Sequence, residues 1–396
     1  MFYQEGCRWF TGYKPCKFKR PCEGCPDHDP VGRRILMISL DAMGAVIRST
    51  CLLPAIRRRY PDAHITWVTY PQSGALLENN PYIDRLIKLD ARAIPVLQYL
   101  EFDLLYAVDK SLEAGALAEQ VKAKEKWGFG LSPRGTIRPF NEAGAYQYQV
   151  GLDDDLKFYR NQKPEPQQIT ETMGLPWVRD PYVLQLTKEE QRVSANRRQD
   201  ILSVNPEARG IIGYNTGCSV LFPNKKLSVP GSIALIRQWR RDCPLHCIAL
   251  LGGPEDTKRQ EEISAAFRDD PMLVNTPTTG GLRSGILWMD TADMVFSGCS
   301  LGMHMAIALG KKVVAWFGVS CSQEIDLYDR GIRLQSDVSC SPCWKRSCDQ
   351  EVMCYDRVSP ARVSEATAKV LSMPENQQLP PERLSDPLSH NHHAGG

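Results

Sequence analysis

Ser300 and His304 stand four residues apart behind a turn of small residues, Ser297-Gly298-Cys299-Ser300-Leu301-Gly302, which reads as the end of one strand opening into a helix. Such a turn leaves backbone N–H groups free and puts the positive end of the helix dipole at its mouth, an arrangement that receives phosphate. His304, in the first turn of that helix, is expected to add a charged or hydrogen-bonded contact to a pyrophosphate. Other reactive groups recur where apolar segments end. Asp41 and Gly44 follow RRILMISL, Asp109 follows EFDLLYAV, and Thr216 and Ser219 follow IIGYN. Lys225 and Lys226 precede the next helix, where a lysine is placed to meet a phosphate; a surface pair is the alternative. Glu255, in Gly252-Gly253-Pro254-Glu255-Asp256, is placed to accept hydrogen bonds from ribose hydroxyls or to face a helix dipole. Asp41, at a strand end, is a residue positioned for a ligand or a helix N-cap.

Two sets of cysteines suggest metal chemistry. Cys7, Cys16, Cys22 and Cys25 crowd the N-terminus, with Cys22-Glu-Gly-Cys25 at the spacing that lets two thiolates chelate one ion. Lysines and arginines interleaved with them favour thiolates. The expectation is a metal-stapled lobe, the alternative a mobile arm with idle thiols. Cys340, Cys343, Cys348 and Cys354 lie within 15 residues near the other end. They predict a four-thiolate site, with zinc or iron undecided by the ligands alone.

The elements that must position these groups follow an α/β rhythm. Strands are expected at RRILMISL, HITWVTY, IDRLIKLD and EFDLLYAVD, separated by helices. The first helix should turn Val46, Ile47, Leu52, Leu53 and Ile56 inward and Arg48, Arg57, Arg58 and Arg59 outward. Residues 120–178 read as mixed and turn-rich, with Asp153–Asp155 a solvated face, and GLPWVRDPYVLQ as a connector. A second α/β pattern starts near 187 and ends in a helix at SPARVSEATAKVLS. The helix after Ser300 reads as amphipathic, through Met303, Ala306, Ile307 and Leu309, and VVAWF beyond it as a strand covered on both faces. This punctuation belongs to doubly wound parallel sheets, which bind ligands at the carboxyl ends of their strands. The expected divisions are an arm at 1–30, two domains at 31–178 and 179–372, and a disordered proline-rich tail at 373–396.

Composition narrows the function classes. The chain has 396 residues, 42% hydrophobic and 24% charged, with a net charge of +2. That is a globular composition with room for two domains and no field directed at nucleic acid. No apolar run approaches the roughly 18–20 residues that span a bilayer, and MFYQEGCRWFTGYKPC lacks the apolar core of a signal peptide. A cytoplasmic protein is therefore expected, in which fourteen cysteines are better read as ligands or nucleophiles than as a disulfide framework.

Four segments together resemble glycosyltransferase family 9, the ADP-heptose:lipopolysaccharide heptosyltransferases. They are RRILMISLDAMGAVIRSTCLLPAIRRRYPDAHITWVT, ENNPYIDRLIKLD, LLGGPED and ADMVFSGCSLGMHMAIALGKKVVAWFG. The resemblance implies the GT-B fold, two Rossmann-like domains facing a cleft. It implies transfer of a sugar, a heptose, from a nucleoside diphosphate such as ADP onto a hydroxyl of a glycolipid or protein acceptor, with inversion. No organic cofactor, no nucleic acid and at most peripheral contact with the inner face of the inner membrane are implied. CSPCWKRSC resembles a motif of a cysteine-rich branch that includes protein heptosyltransferases carrying a metal. The donor would meet Gly44, Thr216, Ser219, Lys225 or Lys226, Glu255, Ser300, Gly302 and His304, and catalysis would involve Asp41, Asp109 and His304. Two departures stand out. The aspartate that usually follows the loop glycine, and acts as base, is Ala45. The second motif's aspartate and glycine fall on Cys299 and Leu301. A catalytically silent sugar-nucleotide-binding scaffold, or a metal- or redox-regulated module, are the competing readings.

Overall fold

The computed structural model describes residues 3–374; nearly all of the proline-rich tail at 373–396 lies outside the described residues. Its core is two six-stranded sheets. The first comprises β1 (Arg34–Ile38), β2 (His64–Thr69), β3 (Arg85–Lys88), β4 (Glu101–Ala107), β5 (Lys122–Leu131) and β6 (Ile137–Pro139), in the order β3-β2-β1-β4-β5-β6. The second comprises β7 (Gly210–Asn215), β8 (His246–Leu251), β9 (Leu273–Asn275), β10 (Met294–Gly298), β11 (Lys312–Phe317) and β12 (Gly331–Gln335), in the order β12-β11-β10-β7-β8-β9. Each is the doubly wound Rossmann order, and all ladders are parallel except β5–β6. β1 after Arg34 and β7 before Asn215 are buried and apolar, as parallel strands covered on both faces require.

Three local expectations are corrected. The first long helix is two, Met43–Ser49 and Leu52–Arg59, because Pro54 cannot donate to the carbonyl of Thr50 and its ring crowds that turn. Lys122–Leu131, read as part of a turn-rich stretch, is the ten-residue β5, paired along β4. Arg48 does not face out: its side chain is 14% exposed and paired with Glu165. Arg57 likewise reaches the carbonyls of Pro61, Ala63 and Tyr82, and so caps a loop.

The helix Leu301–Ala308 is not amphipathic. Gly302 to Ile307 are all buried, because one side packs on β10 and β11 and the other on the helix Met43–Ser49 of the first half. One apolar cluster consequently runs through both halves, from Ile35 and Val46 to Met303 and Leu327. The connector 174–187 is irregular, as expected, and threads this junction. Tyr182 is buried between His304 and Tyr328, and Arg179 grips Asp326 with two hydrogen bonds of 2.9 Å. The N-terminal arm is moored to the first sheet: Arg8 pairs with Asp29 at 2.9 Å and with Asp84, and donates to the carbonyl of Ala63. Among the described residues no helix is long and apolar enough to cross a membrane.

Candidate active site

In a doubly wound sheet the crevice opens where the strand order reverses, at the carboxyl ends of the two central strands. Both sheets place reactive residues there. In the first, Asp41 follows β1 and Asp109 follows β4. In the second, Asn215 and Thr216 end β7, and the turn to Ser300 ends β10. The two crevices face each other, and His304 touches Gly44 across them: a Cβ on Gly44 would come within 2.9 Å of the imidazole Cδ2. Gly44 therefore lets the first helix close against the second half.

Asp109 is a brace. One carboxylate oxygen accepts from the N–H groups of Leu40 and Asp41, each at 3.1 Å, and the other from Ser111 at 2.8 Å. It thus holds the loop that carries Asp41. Asp41 lines a cavity of about 170 Å³ together with Arg48, Lys157, Glu165 and Glu324. Partial burial and the neighbouring Asp109 raise its pKa above the usual aspartate value, opposed by the N–H of Met43. A carboxylate so adjusted is a stronger base than a free one. Ala45, at the position where the family places its aspartate, also lines this cavity.

On the opposite wall, Asn215 ties the two central strands together. Its amide donates to Ser297, Ser300 and the carbonyl of Gly217, each at 3.0 Å. Gly302 is glycine because that amide presses on it: a Cβ would lie 2.5 Å from the Asn215 side chain. His304 is buried, and burial, then Arg48 and Lys225, push its pKa well below the ordinary value. Of the two expected contacts to a pyrophosphate, charged or hydrogen-bonded, this shift favours the hydrogen-bonded one. Its Nδ1 is buried without a hydrogen-bond partner among the described residues.

The other expected donor residues divide. Thr216 is buried and bonded to the Leu251 carbonyl at 3.2 Å. Ser219 is exposed and accepts from Leu221. Lys225 is half-buried over the rings of Phe222 and Trp344, while Lys226 acts electrostatically on Cys218 and Asp256. Glu255 is exposed; its neighbour Asp256 turns inward instead and accepts from the N–H of Gly253 at 3.0 Å.

Sequence reasoning missed the ionic cluster between the halves. Glu324, just beyond β11, is 5% exposed. Burial, then Glu165, push its pKa up to about 7, against Lys157, Arg48 and Lys225. Its carboxylate lies 3.8 Å from the Lys157 ammonium, and Gln323 donates to the carbonyls of Lys157 and Phe158. The available signal was position alone: Glu324 follows a buried strand.

Among the described residues no three His, Cys, Asp or Glu side chains are gathered as a metal site. Cys7, Cys16, Cys22 and Cys25 are half-buried in successive turns of the arm. Cys340, Cys343, Cys348 and Cys354 do share the wall of one cavity of about 240 Å³. They are close enough that the other three, after burial, help push Cys354 up to about 11, yet they line the cavity without converging on one point.

Two Rossmann-type halves with apposed crevices are the GT-B architecture. The profile of glycosyltransferase family 9 (heptosyltransferase) matches residues 92–353, and the chain belongs to that family. It is similar to lipopolysaccharide heptosyltransferase 1 of Campylobacter coli, 20% identical over 312 residues that cover 73% of this chain and 85% of that one. Among solved structures it resembles the E. coli ADP-heptose lipopolysaccharide heptosyltransferase II (19% identity, TM-score 0.64, 85% and 98% of the two chains covered). It also resembles a family 9 glycosyltransferase of Veillonella parvula (20% identity, TM-score 0.63, 86% and 97% covered).

Proposed function

We propose that the protein transfers a heptose from ADP-heptose to a hydroxyl of a lipopolysaccharide-core or related acceptor, with inversion. The observation that carries this reading is the apposition of Asp41 with the Lys225–His304 wall at the facing crevices of the two sheets. The half that carries β1–β6 (31–178) holds the acceptor, and the half that carries β7–β12 (179–372) holds the donor. Asp41 takes the acceptor proton as the hydroxyl attacks the anomeric carbon, and the departing diphosphate is stabilised by Lys225, by the N–H groups at Ser300–Gly302 and by a hydrogen bond from His304. Asp109 keeps Asp41 in place. This arrangement supplies a base despite Ala45. The donor assignment is supported by relatives named for ADP-heptose and lipopolysaccharide.

The expected result is selective thermal stabilisation by ADP-sugars over UDP-, GDP- and CMP-sugars. At about 100 times its dissociation constant, such a ligand adds about 2.7 kcal/mol. Equal stabilisation by all four, or by none, would overturn the donor assignment.

Cys340, Cys343, Cys348 and Cys354 are the place where a thiolate-held zinc or iron would be built, with a structural role remote from the bond that breaks. Elemental analysis of the purified protein is expected to find about one ion per chain, as a four-thiolate site implies. Loss of that ion on Cys343→Ser would confirm the ligand set. Metal-free protein, or retention of the ion in that variant, would dispose of the site.

A further inference from the structure

The loop 340–354 reaches the active site through one side chain, Trp344. The backbone N–H groups of Cys343 and Trp344 both donate to the carbonyl of Val319, at 3.1 and 2.8 Å, and Ser341 donates to the carbonyl of Gly318 at 2.6 Å. These bonds pin the loop to the end of β11. Trp344 itself sits at φ 50°, a conformation bulky residues avoid unless their surroundings impose it. From this position the indole reaches Lys157 of the other half.

The half-buried indole stands beside Cys321 and meets three further groups. Phe222 packs edge-on, with ring centroids 5.5 Å apart. The Lys225 ammonium, from the donor half, lies 4.3 Å from the ring centroid. The Lys157 ammonium, from the opposite half, lies 4.4 Å from it. Two cations from opposite sides of a cleft repel each other, and one aromatic ring attracts both. Lys225 is also held at its backbone, where its carbonyl rests on Gly298: a Cβ there would come within 1.9 Å of it. The ring therefore gathers two positive charges beside the turn at Gly298–Ser300, with Glu324, 3.8 Å from Lys157, as their one paired carboxylate counter-charge among the described residues, so that a diphosphate would add the charge needed to balance both.

We propose that Trp344 is a positioning residue of the donor site, holding Lys225 and Lys157 so that both ammonium groups converge on the diphosphate of the donor. The inference rests on the donor reading above and deepens it. It makes the cysteine-bearing loop a wall of the active site, and it makes the diphosphate a bridge that draws the two halves together.

The experiment combines two readouts on the wild-type protein and on Trp344→Ala, Trp344→Phe and Lys225→Ala. Calorimetry with ADP is expected to show about tenfold weaker binding in Trp344→Ala, the scale of a partly desolvated cation–π contact. Trp344→Phe restores most of the affinity, and Lys225→Ala matches or exceeds the loss. Amine-reactive labelling read by mass spectrometry, without nucleotide, is expected to find Lys225 and Lys157 labelled several times faster in Trp344→Ala than in the wild type. Wild-type affinity for ADP in Trp344→Ala overturns the inference. So does a Phe variant as weak as the Ala variant, since the loss would then come from loop collapse. Should the wild type bind no ADP, the donor reading falls. The labelling then decides the positioning role separately: unchanged lysine reactivity overturns that too.

Discussion

Asp41→Asn lowers kcat by about 10²–10⁴-fold, the usual cost of losing a general base, while ADP binds as it does to the wild type. The asparagine keeps the shape of the loop and the N–H donated to Asp109 at 3.1 Å, so the fold and the donor wall are undisturbed. Only the acceptor of the proton is gone. The pH profile carries a second signature. Burial and Asp109 raise the pKa of Asp41, so the acid limb of kcat/KM lies above the range of an ordinary aspartate, and in the variant that limb disappears. Asp109→Asn behaves differently. Both oxygens of Asp109 already accept backbone N–H groups, so its replacement loosens the loop and lowers stability along with rate. Unchanged kcat in Asp41→Asn would remove Asp41 from the mechanism.

Glu324→Gln raises stability far more at pH 8 than at pH 5. Glu324 begins near 4.5 in the unfolded chain and is pushed up to about 7 in the fold, first by burial and then by Glu165. Between those values the folded protein holds a proton that the unfolded chain has released. Stability therefore falls as pH rises from about 4.5 to about 7, and the full cost is present above that. A displacement of this size corresponds to about 3 kcal/mol, a figure that already includes the opposing attraction of Lys157. Glutamine resembles the protonated acid and carries no such dependence. Melting curves of both proteins across pH 5–8 test this. Parallel curves, with a constant offset, would show that Glu324 does not titrate in this range.

Much of the architecture was legible. Apolar runs such as RRILMISL and VVAWF read as covered strands and became β1 and β11, because a parallel strand buried on both faces admits few polar side chains. The placement of Asp41 and Asp109 at strand ends, and of Ser300 at a helix opening, was legible for the same reason: the fold class dictates where crevices open. β5 was not legible, since its first half, Lys122-Ala-Lys-Glu-Lys126, is charged and its second half is interrupted by Gly128 and Gly130, so no apolar run marks it as a strand. Arg48 was misread because helical periodicity places a charge on the outward face, while Glu165, more than a hundred residues later, drew it inward.

The sequence by itself determined the two doubly wound sheets, the family and the chemical types available at each strand end, because these follow from local pattern and the geometry of parallel strands. Only the tertiary structure decided what those groups can do. It lowered the basicity of His304 by burying it beside Arg48 and Lys225 and gave Asp109 three backbone N–H groups that tie down the loop of Asp41. It also carried Trp344 of the cysteine loop onto the lysines of both halves. Charge, basicity and contact depend on which distant residues share one low-dielectric space, and that is a property of the folded pair of domains, not of any stretch of chain.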